Sequence, residues 1–135
     1  MDGNIDNMLA GAELDALIAE KVMGWDHVRK IEPRSSIYGP CSPYYIGREN
    51  ITDGDFDEPV PHYSTYIGTA WQVVEKMQAN KWWFDADWEL GELPWAAFFV
   101  DRDSFGYIGV YGSNAESMPL AVCRAALKVV LGLRE

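Results

Sequence analysis

KWWFDADWELGELPWAAFFV, residues 81 to 100, decides the fold class of this chain. Trp82, Phe84, Ala86 and Trp88 fall on one face and Trp83, Asp85, Asp87 and Glu89 on the other, which is the period of a half-buried strand. Gly91 and Pro94 punctuate it with a turn, and WAAFFV restarts as a second strand. The polar turn Asp101, Arg102, Asp103, Ser104 then leads into FGYIGVY at 105 to 111. A three-stranded antiparallel meander is the simplest pairing of these runs.

Helical patterns flank the meander. Upstream, Ile67, Ala70, Trp71, Val74 and Met77 recur at i, i+3, i+4, i+7 and i+10, with Ser64 or Thr65 placed to cap the helix and Asn80 to stop it. Earlier still, Leu14, Leu17, Ile18 and Val22 mark an amphipathic helix with Glu13, Asp15 and Glu20 between them, ended by Gly24. Downstream, a helix starts near Ser117, tolerates Pro119 in its first turn, and carries Leu120, Cys123, Leu127 and Val130 as its apolar stripe. DHVRKI at 26 to 31 gives a weak strand signal. Residues 33 to 61 contain Pro33, Pro40, Pro43, Pro59 and Pro61 with Gly39, Gly47 and Gly54, and no periodicity survives there. A stretch of that length reads as a structureless loop, and Tyr38, Tyr44 and Tyr45 favour one that packs on something or closes as a lid. The expectation is an α+β fold, a small antiparallel sheet covered by helices in an α/β/α sandwich, ordered α, loop, α, β, β, β, α. Residues 1 to 10 read as a flexible N-terminus and 11 to 135 as one domain.

Composition narrows the chemistry. A net charge of −10 has the wrong sign for gripping polymeric nucleic acid by counterion release, and it disfavours an anionic membrane surface. Exposed charges are screened within about 8 Å, so a small phosphorylated ligand remains compatible with an acidic surface. Six Trp, seven Tyr and five Phe supply more rigid aromatic surface than a small core usually needs, pointing some rings toward a ligand or a partner. The opening MDGNIDNMLAGAELD lacks a basic, apolar leader pattern, no run reaches membrane-span length, and Cys41 and Cys123 read as free thiols, so a cytoplasmic chain without a disulfide is expected.

Catalytic and metal patterns fail one by one. DGDFDE at 53 to 58 begins like a calcium loop, but Glu58 holds the sixth position where Gly belongs and Ser64 the twelfth where Glu belongs. His27 and His62 have no zinc-spaced neighbours, and no nucleophile elbow, phosphate loop or dinucleotide fingerprint occurs. Asp85 and Asp87 would stand about 6.6 Å apart on one strand face, close enough to share a metal as well as simply to be solvated. The expectation is no enzyme, no metal and no cofactor. A different group stands out: His62, Tyr63, Ser64 and Thr65 bring hydroxyls and backbone N–H groups to a helix start, which favours an anion. Arg124, with Lys128 one turn on, sits beside an apolar stripe, where it must snorkel, pair with a carboxylate or meet a ligand.

Three segments, ELDALIAEKVMGW (13 to 25), HYSTYIGTAWQVVEKM (62 to 77) and AVCRAALKVVL (121 to 131), together resemble the phage ABA-sandwich domain family, and within it the phage Thoeris anti-defence sponges. The resemblance implies a non-enzymatic homo-oligomer that sequesters a cyclic ADP-ribose isomer or a cyclic oligonucleotide made by bacterial immune systems, with sites between subunits, in the cytoplasm of the infected host. Residue by residue it marks Trp25, Tyr63, Ser64, Thr65 and Arg124, and the expected ligand-binding set is these with His62, Trp95 and Lys128. An adenine would stack on Trp25 or Arg124 while the helix start and Arg124 hold phosphates. Where the family has an acidic residue after Ser-Thr, this chain has Tyr66. Two other functions stay open: a metal-dependent phosphodiesterase using Asp85 and Asp87, and a phage structural or regulatory module that binds protein through its aromatics.

Overall fold

The computed structural model describes residues 5–32, 44–49, 57–101 and 110–132. Helix α1 spans Ala12–Leu17 and runs directly into a π-helical turn at Ile18–Val22. That turn closes through Met23 N–H on the Ile18 carbonyl (2.9 Å) and Trp25 N–H on the Ala19 carbonyl (2.8 Å). Gly24, at φ 79°, supplies the left-handed residue such a helix end requires. Leu14, Ile18 and Val22 are buried as their spacing predicts, and Asp15, Ala16 and Ala19 are buried with them.

Two sheets form where the sequence promised one. Strands β1 (Asp26–Ile31), β2 (Tyr44–Arg48) and β3 (Glu58–Pro59) pair antiparallel in that order. The stretch 33 to 61, expected to be structureless, therefore carries two strands, and the weak DHVRKI signal is their partner. Pro59 does not oppose this, since it sits on an edge strand, where a missing N–H costs no ladder bond. The proposed calcium-like residues 53 to 56, Tyr38 and Cys41 lie outside the described residues, as does most of a lid at 33 to 61. β1 is interrupted between Asp26 and Arg29 by a bulge, with His27 at φ 57°.

The second sheet is the expected meander: β4 (Trp82–Trp88), β5 (Trp95–Asp101) and β6 (Val110–Ala115). β6 starts near the end of the FGYIGVY run, and the 102 to 109 connection is outside the described residues. One face carries Phe84, Phe99 and Tyr111 in one cross-strand row and Ala86, Ala97 and Ser113 in the next. On the other face the Phe98 ring lies over Gly112, where an added Cβ would come within 2.7 Å of Phe98 Cε1.

Helix α2 (Ile67–Ala79) and helix α3 (Met118–Leu131) complete the fold. α2 ends at Asn80 as expected, but its N-cap is Tyr66 and no side chain caps it. Neither Ser64 nor Thr65 does so, because the chain makes a further turn, Tyr66 N–H to the His62 carbonyl, before the helix begins. Its buried residues are Ala70, Val73, Val74 and Met77, with Ile67 and Trp71 turned outward. α3 begins as predicted: Ser117 accepts the Leu120 N–H and Pro119 occupies the first turn. Instead of a stripe, it buries every residue from Pro119 to Lys128, while Val130 is exposed. The reason is its central position, with β5 and β6 on one side and α2 and the π-helical turn on others. Residues near the start, read as a loose tail, dock on it: Ile5 is buried and the Met8 carbonyl accepts from Arg124.

Candidate ligand site

A buried polar group joins α1 to the turn before α2. Asp15, 2% exposed, accepts the Ser64 backbone N–H on Oδ1 at 2.7 Å. Ser64 Oγ accepts the Gly11 N–H at 2.9 Å, which ties both ends of α1's first turn to the 62 to 65 segment. His62 stands at the rim, its side chain 83% exposed, with Nδ1 3.9 Å from Asp15 Oδ2. Its backbone is fixed from the helix side, since Thr69 Oγ1 donates to the His62 carbonyl at 2.7 Å. Burial raises the Asp15 carboxyl above its ordinary value, opposed by hydrogen bonding from Ser64 and by the His62 charge.

Beside this group is a cavity of about 220 Å³ whose walls are Ala12 and Asp15 of α1, Tyr44 and Tyr45 of β2, and Pro59, Val60 and His62. Two other hollows, of about 240 and 320 Å³, lie beside Met8 and Glu13, the first reaching Val28 and Tyr45, and neither is lined by a buried ionisable group. The Asp15 cavity combines apolar walls with a few fixed polar atoms, the usual character of a small-molecule site.

The expected site residues separate into four places. His62, Tyr63, Ser64 and Thr65 do come together, with His62 and Thr65 exposed and Tyr63 and Ser64 buried. Ser64 spends its hydroxyl and its N–H on Gly11 and Asp15, so it is a brace in this chain rather than an open anion seat. Burial, then the nearby Glu49, Cys123 and Asp15, pushes the Tyr63 phenol upward. Trp25 lies in the core, its ring 3.2 Å from where a Gly47 Cβ would be, and so offers no open stacking face. Trp95 lies on β5 against Trp88, with ring centroids 6.4 Å apart, and does not line the cavity.

Arg124 and Lys128 are interior groups. Arg124 donates from Nε and Nη2 to the Met8 carbonyl and from Nη1 to the Asn114 carbonyl at 3.3 Å. Lys128 Nζ binds the Gly112 carbonyl at 2.7 Å and Asp6 at 2.8 Å. Of the readings open for this pair, carbonyl and carboxylate partners within the chain are what the structure contains. Asp85 and Asp87 are exposed, and each carboxylate accepts the next residue's N–H, at 2.9 Å from Ala86 and 2.8 Å from Trp88. Among the described residues no three His, Cys, Asp or Glu side chains gather as a metal set. No described helix is long and apolar enough to cross a membrane.

Sequence reasoning missed Asp15, Tyr44 and Tyr45. Asp15 reads as a solvated residue between stripe positions, and its only signal is the flanking pair of small residues, Ala12 and Ala16, which lets another segment approach that face. The tyrosines were placed in a packing loop, without their strand.

Comparison with known proteins bears on most of the chain. The family described as phage ABA sandwich domain matches residues 16–127. A solved structure titled as a phage protein from Bacillus cereus ATCC 14579 is similar at a TM-score of 0.58 and 25% identity, over 90% of this chain and 92% of that one. No curated protein matches.

Proposed function

This chain belongs to the phage ABA sandwich domain family, and from that premise we propose that it is a phage-encoded anti-defence protein that sequesters a cyclic nucleotide immune signal without cleaving it. The observation that carries the reading is the cavity between α1, β2 and His62, with aromatic and apolar walls and one buried, anchored carboxylate. Such walls suit a planar base, and the exposed His62 at the rim suits a phosphate or ribose beyond it. At about 220 Å³ the cavity is below the 300–1,000 Å³ usual for a whole drug-sized ligand. It holds one base, and a second copy of the chain covers the remainder, which makes the working unit a homo-oligomer in the cytoplasm of the infected host.

A screen of cyclic ADP-ribose isomers and cyclic di- and trinucleotides by thermal shift tests this. A ligand at about 100 times its dissociation constant stabilises the fold by about 2.7 kcal/mol. Heat-denatured complex should return the ligand intact; recovery of a cleaved product would replace sequestration with hydrolysis. The protein-binding alternative draws on the exposed Trp71, Trp88 and Trp95. It gains if no nucleotide shifts the melting temperature while a phage or host protein is retained.

A further inference from the structure

Asp15 gives the cavity a chemical preference that its apolar walls do not. An ionised carboxylate is acceptor-only, with two oxygens able to take about four hydrogen bonds. The Ser64 N–H uses one position on Oδ1; burial raises this carboxyl, and the Ser64 bonding together with the donors of a bound base favours its ionised form against that burial. Oδ2 has His62 Nδ1 at 3.9 Å, beyond hydrogen-bond reach, and Asp15 lines the cavity. A buried carboxylate with open acceptor positions is satisfied by a ligand edge that carries adjacent N–H donors and is penalised by one that places a lone pair there.

Resting on the proposed sequestration of a cyclic nucleotide, we infer that Asp15 makes the cavity a guanine pocket: its carboxylate accepts the N1–H and the N2 amine of a guanine laid against Tyr45, Pro59 and Val60. Adenine presents a single amine next to the N1 lone pair, which would face Asp15 and be repelled. Hypoxanthine keeps N1–H but lacks the amine. The ligand therefore carries guanosine, and its phosphates lie away from Asp15, toward His62 and the mouth.

The test compares the cyclic dinucleotides of guanosine, inosine and adenosine on the full chain by calorimetry and thermal shift. The expected order is guanosine over inosine by about tenfold, from one charge-assisted hydrogen bond, and over adenosine by about a hundredfold or more. Asp15→Asn keeps an oxygen for the Ser64 N–H and turns an amide donor toward the guanine donors, so it should abolish the guanosine preference with little change in melting temperature. If that variant does not fold, the wild-type ranking alone decides. Equal affinity for the three, or adenosine binding tightest, overturns the guanine assignment and leaves sequestration standing. Failure of every cyclic nucleotide to bind removes both.

Discussion

Helix α3 hides charges and the edge of the second sheet displays tryptophans. Arg124 and Lys128 are nearly as inaccessible as the Leu127 between them, whereas along the row Trp88, Trp95, Ala115 exposure falls from 51% to 36% to 0%. The difference follows from position, not from the hydrophobic rank of the side chain. α3 packs over β5 and β6, so Ala115 is covered, while the Trp88 end of the edge strand β4 lies beyond it. Arg124 is tolerated inside because its donors meet the Met8 and Asn114 carbonyls, so the buried guanidinium is not left without partners.

Breaking the buried side of this contrast should have the largest effect. Arg124→Met preserves length and apolar stem but leaves those carbonyls without donors, with an expected cost of about 2–4 kcal/mol. That is a large part of the 5–15 kcal/mol typical of a domain. Urea unfolding should show a lower midpoint at unchanged slope. A loss below about 0.5 kcal/mol would mean that Arg124 contributes packing alone and that the segment carrying Met8 holds by other contacts.

The exposed side should respond weakly. Trp88 and Trp95 face one another across β4 and β5 with rings inclined at 65°, a cross-strand pair contributing about 0.5–1 kcal/mol. Trp88→Ser should therefore lower stability by no more than about 1 kcal/mol. A loss above about 2 kcal/mol in the same urea experiment would show that this end of the sheet belongs to the core, and would erase the contrast.

The same contrast explains what the sequence made legible. Strands β4 and β5 were readable because their alternation is long and their turn is marked by Gly91 and Pro94, and α3 was readable because Ser117 and Pro119 announce its start. β2 and β3 were not, since five- and two-residue strands among prolines leave no period to detect and are held by pairing with β1. For the site, the 62 to 65 segment was found through its hydroxyls, but its role was not. Ser64 faces Asp15 across 49 positions of sequence, and no local pattern encodes a contact at that separation. Arg124 and Trp25 were expected to face a ligand because each is a good recognition residue; both are buried by the tertiary arrangement.

The smallest effect on stability belongs to Asp85 and Asp87, and it sharpens the contrast at the sheet edge. Glu89 N–H bonds the Pro94 carbonyl at 2.9 Å, so by alternation Asp87 and Asp85 also point their main-chain groups at β5, while those of Ala86 and Trp88 point away from it. These outward N–H groups are the ones the two carboxylates occupy. An edge strand bearing three tryptophans invites pairing with another chain, and filled donors with two negative charges discourage it. Replacing both by Ala should leave folding stability within about 0.5 kcal/mol and yet produce concentration-dependent association in light scattering. Replacing both by Asn keeps an acceptor oxygen and removes the charge, so association there would assign the guarding to charge and its absence to the hydrogen bonds. If the double Ala variant scatters like the parent at every concentration, the edge is protected by something other than these two side chains.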